Sequence, residues 1–141
     1  MNKKDGFWRY QFPAIVWAGI IFGISSLPIS LIEMSPRFHL DKLLHVGIFY
    51  VFCLLLNRAL LNQSRVPHLA ANHLVVSLVL VVAYGILDEL HQTVVPGRTP
   101  DVYDALADSL GGLACTFYLL LRANRAKAEA KSDRSAGSRS P

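Results

Sequence analysis

The chain has 141 residues, 52% of them hydrophobic and only 17% charged, with a formal net charge of +4. A soluble domain carries roughly 25% charged residues, and the charges here are bunched between long uncharged gaps. The composition therefore excludes a soluble enzyme, a disordered chain and a secreted disulfide scaffold, and it points to a single-domain, all-α integral membrane protein.

Residues 1–11 form a short N-terminal segment with Lys3, Lys4 and Arg9. The first apolar run, residues 12–32, lies within 23 uncharged residues between Arg9 and Glu33. It exceeds the roughly 7–15 residues of a signal-peptide core and no small-x-small cleavage site follows, so it reads as a retained span. Gly19-x-x-x-Gly23 offers a smooth face, for packing within the monomer or for dimerisation. The second run, residues 41–61, has 15 uncharged residues between Lys42 and Arg58. The third, residues 72–91, is rich in Val and Leu, and its length favours a helix over a buried strand. The fourth, residues 101–121, has 13 uncharged residues between Asp108 and Arg122. Four spans over residues 12–121 predict a membrane four-helix bundle. Residues 122–141 read as a basic, polar tail whose first part continues the last helix and whose end, Ser135 to Pro141, is disordered.

Lys and Arg accumulate on the cytoplasmic side of membrane proteins. With four spans, Lys3, Lys4, Arg9, Arg58, Arg65, Arg122, Arg125, Lys127, Lys131, Arg134 and Arg139 share one side, against Arg37, Lys42 and Arg98 on the other. Both termini are thus expected in the cytoplasm. Topology accounts for the basic balance, the bilayer is the expected partner, and no nucleic acid is implied. Cys53 and Cys115 fall inside apolar runs without metal-type spacing, which supports neither a disulfide nor a zinc site.

The acidic residues lie at the opposite end. Glu33, Asp41, Asp88, Glu89, Asp101, Asp104 and Asp108 accompany only three cations there. Such crowding calls for ion pairing, shifted carboxyl groups or a cationic ligand. The 13 residues before Arg122 rise about 20 Å, against about 30 Å of hydrocarbon, which sinks Asp108 roughly 10 Å below the outer boundary. Ionisable residues at such depth face the bundle interior. Asp101, Asp104 and Asp108 share one helix face, as do Tyr84, Asp88 and Gln92, with Glu89 and His91 adjacent, and Asp41, Lys42 and His45. Gly111 and Gly112 follow the last stripe and admit a neighbouring helix. These stripes predict one polar cavity opening outward. In the connection, Pro96-Gly97 signals a turn and Pro100 a helix boundary, after which Asp101 can cap the last helix. Arg98 on this lid is placed either to clamp Asp88 or Asp104 or to hold an anionic head group.

In order, Asp41-Lys42-x-x-His45 with Tyr50 one turn on, Tyr84-Gly85-x-x-Asp88-Glu89-x-x-Gln92, Pro96-Gly97-Arg98 and Asp101-x-x-Asp104-x-x-x-Asp108-x-x-Gly111 resemble the VanZ-like family of small bacterial membrane proteins. The resemblance is strongest over residues 41–121. Family members often carry Asn where this chain has Asp108. The resemblance implies a multi-pass protein of the bacterial cytoplasmic (inner) membrane with a role in the cell envelope. Its name-giving member is associated with glycopeptide resistance, particularly to teicoplanin.

Three functions follow as expectations. The leading one is binding or modification of a lipid-linked or amphiphilic molecule at the outer leaflet. Asp88, Glu89, Asp104 and Asp108 would then serve as acids, bases or acceptors, with Lys42, His45 and Arg98 for phosphate or carboxylate. The second is a membrane-embedded acid–base or metal-dependent hydrolase, although no His-Glu-x-x-His, Gly-x-Ser-x-Gly or phosphate loop is present. The third is a structural partner protein locked by its charges. No cofactor and no metal are expected. Among the histidines only His45 is a functional candidate. His91 lies at a helix end, and His39, His68 and His73 read as interfacial.

Overall fold

The computed structural model describes residues 6–28 and 38–137, and every regular element among them is helical. A π-helical turn, Phe7–Gln11, runs directly into α1, Phe12–Ser25. Pro13 cannot donate to a carbonyl one turn back, and the widened turn falls just before it. α2 spans Phe38–Leu61, α3 is the short Pro67–Ala71, α4 spans His73–Gln92 and α5 spans Val102–Gly137. Three of these helices, α2, α4 and α5, are long and apolar enough to cross a membrane. Exposed Leu43, Val79, Leu87, Leu110 and Phe117 face outward from them, where lipid rather than water suits them.

Two expectations change. Among the described residues of the run over 12–32, the α-helix covers Phe12 to Ser25. Pro28 disfavours helix in the residue before it, and residues 29–32 lie outside the described residues, as do Glu33 and Arg37. At the other end, α5 continues past its apolar run, as expected for the first part of the tail, and reaches Gly137. The stretch after Arg122 is rich in Ala, Lys and Arg, which are strong helix formers, and Arg125 and Glu129 stand one turn apart. Ser135 to Gly137, expected to be disordered, are helical, and residues 138–141 lie outside the described residues.

α2 packs most extensively on α5, α4 lies against both, and α1 rests on α2 and α4 without reaching α5. Two adjacent glycines seat α5 between its neighbours. A Cβ on Gly111 would fall 2.4 Å from the Val46 carbonyl oxygen of α2, and one on Gly112 would fall 2.9 Å from Val81 of α4. The Gly19 and Gly23 face, by contrast, meets nothing within 4 Å among the described residues. Phe49, Phe52, Cys53, Val81, Cys115 and Ile21 form the core, with the Tyr84 ring 5.1 Å from that of Phe52. Trp17 of α1 donates to the Ile48 carbonyl at 3.1 Å. Towards the N-terminal end of α1, the Arg58 guanidinium lies 5.2 Å from the Tyr10 ring and Gln11 donates to the Ala59 carbonyl at 3.2 Å. Buried Asn57 also pairs with His73 there at 2.8 Å. His73 is therefore an interhelical tie rather than an interfacial bystander.

Candidate functional site

The site is built from the α4–α5 connection inward. The Arg98 N–H donates to the Val95 carbonyl at 3.1 Å, closing a four-residue turn. Gly97 within it has φ 78°, the conformation that the third position of a type II turn reserves for glycine. The chain then reaches Asp101, whose Oδ1 accepts the Tyr103 N–H at 2.9 Å and caps α5. The Asp101 N–H donates to Glu89 Oε2 at 2.7 Å, so the end of α4 grips the start of α5.

Lys42 of α2 reaches into this corner. Its ammonium donates to Asp101 Oδ2 at 2.6 Å and to Asp104, and it lies 3.5 Å from Asp41 Oδ2. The ammonium, with the Tyr103 N–H, holds the Asp101 carboxyl below its usual range. One turn along α2, His45 Nδ1 is 2.9 Å from Asp108 Oδ1, and its Nε2 is 3.9 Å from Asp104. Asp108 is fully buried, and its Oδ2 has no hydrogen-bond partner among the described residues. Gly85 of α4 makes room for it, since a Cβ there would stand 2.9 Å from that oxygen. A buried oxygen left this way is a natural acceptor for a bound donor or water.

A second group joins the first through Glu89. Gln92 donates to Glu89 at 3.2 Å and to Asp88 at 3.4 Å, and Asp88 accepts the Ser25 hydroxyl of α1 at 2.6 Å. Asp88, Glu89, Gln92 and Asp104 are all buried. Asp41, Asp88, Glu89, Asp101, Asp104 and Asp108 thus share one end of the bundle with Lys42 and His45. Ser25, His45, Asp88, Gln92 and Arg98 line a recess of about 60 Å³ floored by Ile21, Ile48 and Phe49. That is room for waters or a small head group, not for a fused ring. A separate open groove of about 430 Å³ runs between α2 and α5, with Lys42 and Tyr103 at its head and Leu43, Val46, Leu106, Ala107 and Leu110 along it.

Two expected members do something else. Arg98 clamps no carboxylate among the described residues. Its guanidinium donates to the Leu27 and Ile24 carbonyls at 3.2 and 3.3 Å, at the C-terminal end of α1 where a cation suits the helix dipole. Tyr84 faces α1, its hydroxyl donating to the Ala18 carbonyl at 2.7 Å. Ser25 was not singled out by sequence, nor was Ser26, whose hydroxyl pairs with His91 at 2.9 Å. The only signal was a pair of hydroxyls at the end of an apolar run. Asp41, His45 and Asp104 can bring three ligand atoms within 4.8 Å of one another. The Lys42 ammonium among these carboxylates already supplies the positive charge that a metal would bring.

A family model described as VanZ/LLP1 matches residues 6–123. The chain belongs to the VanZ-like family. The match takes in α1, the whole polar end and the groove, and it stops near the point where α5 turns polar. No curated protein and no solved structure matches the chain. VanZ-like membership, with three helices apolar enough to cross a bilayer, makes this a multi-pass membrane protein.

Proposed function

We propose that this VanZ-like protein is a four-span, non-transporting envelope protein that binds, or acts on, an amphiphilic or lipid-linked molecule at the outer leaflet of a bacterial inner membrane. The observation that carries the reading is the pairing of a small polar recess, lined by Ser25, His45, Asp88, Gln92 and Arg98, with an apolar groove on α2 and α5. Such a pair suits a molecule with one polar and one apolar part. The eleven-to-three bias of Lys and Arg supports both termini in the cytoplasm. Arg9 and Arg58 lie at the end opposite the carboxylates, both beside the Tyr10 ring, which fits that orientation. The basic end of the chain fits the role of a cytoplasmic extension.

Native mass spectrometry of the protein extracted from its membrane tests the reading directly. A retained amphiphile, lost in Asp104→Asn while the fold survives, is the expected result. Absence of any bound amphiphile together with an unchanged envelope phenotype in Asp88→Asn and Asp104→Asn would overturn it. A link to glycopeptide resistance comes from the family alone. Teicoplanin susceptibility of a sensitive host expressing the protein checks it.

One observation favours acid–base chemistry as a second reading. Asp108 fixes one ring nitrogen of His45 and leaves the other for the acid-rich side, the arrangement of an oriented general base. Hydrolysis of a lipid-linked ester or phosphoester, abolished by His45→Gln, is its test.

A further inference from the structure

The preceding reading leaves the head group unnamed, and this inference rests on it. We infer that the recess between α1, α2 and α4 binds a neutral polyol head group, a sugar or glycerol, through one hydroxymethyl arm.

The recess holds opposite charges that do not meet. Asp88 and Arg98 both line it, yet Asp88 is committed to Ser25 and Gln92 and Arg98 to the carbonyls of Leu27 and Ile24. Each keeps capacity in reserve. The Asp88 bonds both fall on Oδ2, which leaves Oδ1 without a partner among the described residues. Gln92 bonds through its amide nitrogen, leaving Oε1, and Arg98 bonds through Nε and Nη2, leaving Nη1. His45 is held at Nδ1 by Asp108, while its Nε2 stands 3.9 Å from Asp104, beyond hydrogen-bond distance. Asp88 and Gln92 are only 4% and 3% exposed. Bulk water therefore does little for their spare oxygens, and an occupant of the recess must satisfy them.

The donor set selects that occupant. A hydroxyl both donates and accepts, so it can donate to Asp88 Oδ1 or Gln92 Oε1 and accept from Arg98 Nη1. A phosphate would face the Asp88 carboxylate, and a primary ammonium would face the Arg98 guanidinium. Like charges at close range disfavour both. The volume agrees. About 60 Å³ is roughly the liquid volume of two waters, which admits one carbon with its hydroxyl and leaves the rest of the head outside. Ile21, Ile48 and Phe49 supply an apolar floor for that carbon.

The test is native mass spectrometry of the full chain in a sugar-free detergent, titrated with monoglucosyl diacylglycerol, phosphatidylethanolamine and phosphatidic acid of identical chains. The glucosyl lipid is expected to bind about tenfold more tightly than the other two, the worth of one charge-assisted hydrogen bond. Asp88→Asn should erase that preference. Ile24→Trp, at an exposed position of the recess wall, should erase it by occlusion and decides the matter if the Asp88 variant does not fold. Equal binding of all three lipids (the result for a recess that holds water alone) or preference for either phospholipid overturns the polyol while leaving the amphiphile reading standing. So does a glucosyl preference that survives Ile24→Trp. Displacement of the glucosyl lipid by methyl glucoside at equal concentration assigns the recess to a free polyol and overturns the amphiphile reading instead. No binding of any lipid or of methyl glucoside above the detergent background overturns both.

Discussion

The middle and the polar end of the bundle join the same three helices by different means. In the middle, Gly111 and Gly112 let α5 touch the backbone of α2 and the side chains of α4, and the contacts are dispersion between close surfaces. At the polar end, α2, α4 and α5 meet through ionisable groups. Interhelical polar contacts in membranes average only about 0.6 kcal/mol, and burying carboxylates carries its own cost. The helices are already brought together below, so the polar end contains more charge than assembly requires. That surplus is what the proposed function draws on.

The sharpest way to break this contrast is Gly111→Ala. Its Cβ would press on the Val46 carbonyl oxygen, backbone that cannot swing aside. A loss of about 3 kcal/mol, the upper end of overpacking effects, is expected in thermal or denaturant unfolding in detergent. Next come paired changes at Asp108. Asp108→Ala removes the partner of His45 and leaves a half-buried ring nitrogen without it, at about 1 kcal/mol. Asp108→Asn preserves shape and hydrogen bonding and should stay within about 0.5 kcal/mol of wild type, with any loss showing in lipid retention instead. If the two variants are equally unstable, the site is structural after all.

Arg98→Ala should cost about 1 kcal/mol or less, as a lost C-terminal cap and dipole contact. It should speed amide hydrogen exchange at the end of α1, the helix end that its guanidinium holds. The smallest effect belongs to Asp101, whose carboxyl is held below its ordinary value by Lys42 and the Tyr103 N–H. A lowered carboxyl contributes stability that is complete above the unfolded value of about 3.9 and is lost as pH falls through the lower folded value. Wild type and Asp101→Asn should therefore differ by a constant amount between pH 5 and 8 and converge only below about pH 4.

The second, third and fourth apolar runs were legible in the sequence because their length and periodicity depend on local chemistry alone. So were the stripe of Asp101, Asp104 and Asp108 and the capping role of Asp101. The partner of Arg98 was not, because a loop side chain's target depends on where a distant helix ends. Ser25 was hidden because one hydroxyl hardly alters the hydropathy of its run. Gly19-x-x-x-Gly23 and Gly111-Gly112 give the same local signal of smallness, yet only the second pair meets a neighbour among the described residues. That the last helix runs on past Arg122 was legible from its helix-forming residues, whereas its reach to Gly137 was obscured by polarity that reads as disorder.

The space for Asp108 is borrowed from another helix, through the side chain that Gly85 lacks. Positions 85 and 108 are therefore not independent variables. A larger residue at 85 can be accommodated only if 108 shrinks, so Gly85→Ala should be rescued by Asp108→Gly in packing while the acid is forfeited. Across related chains the two sites should vary in concert, each constraining what the other is allowed to be.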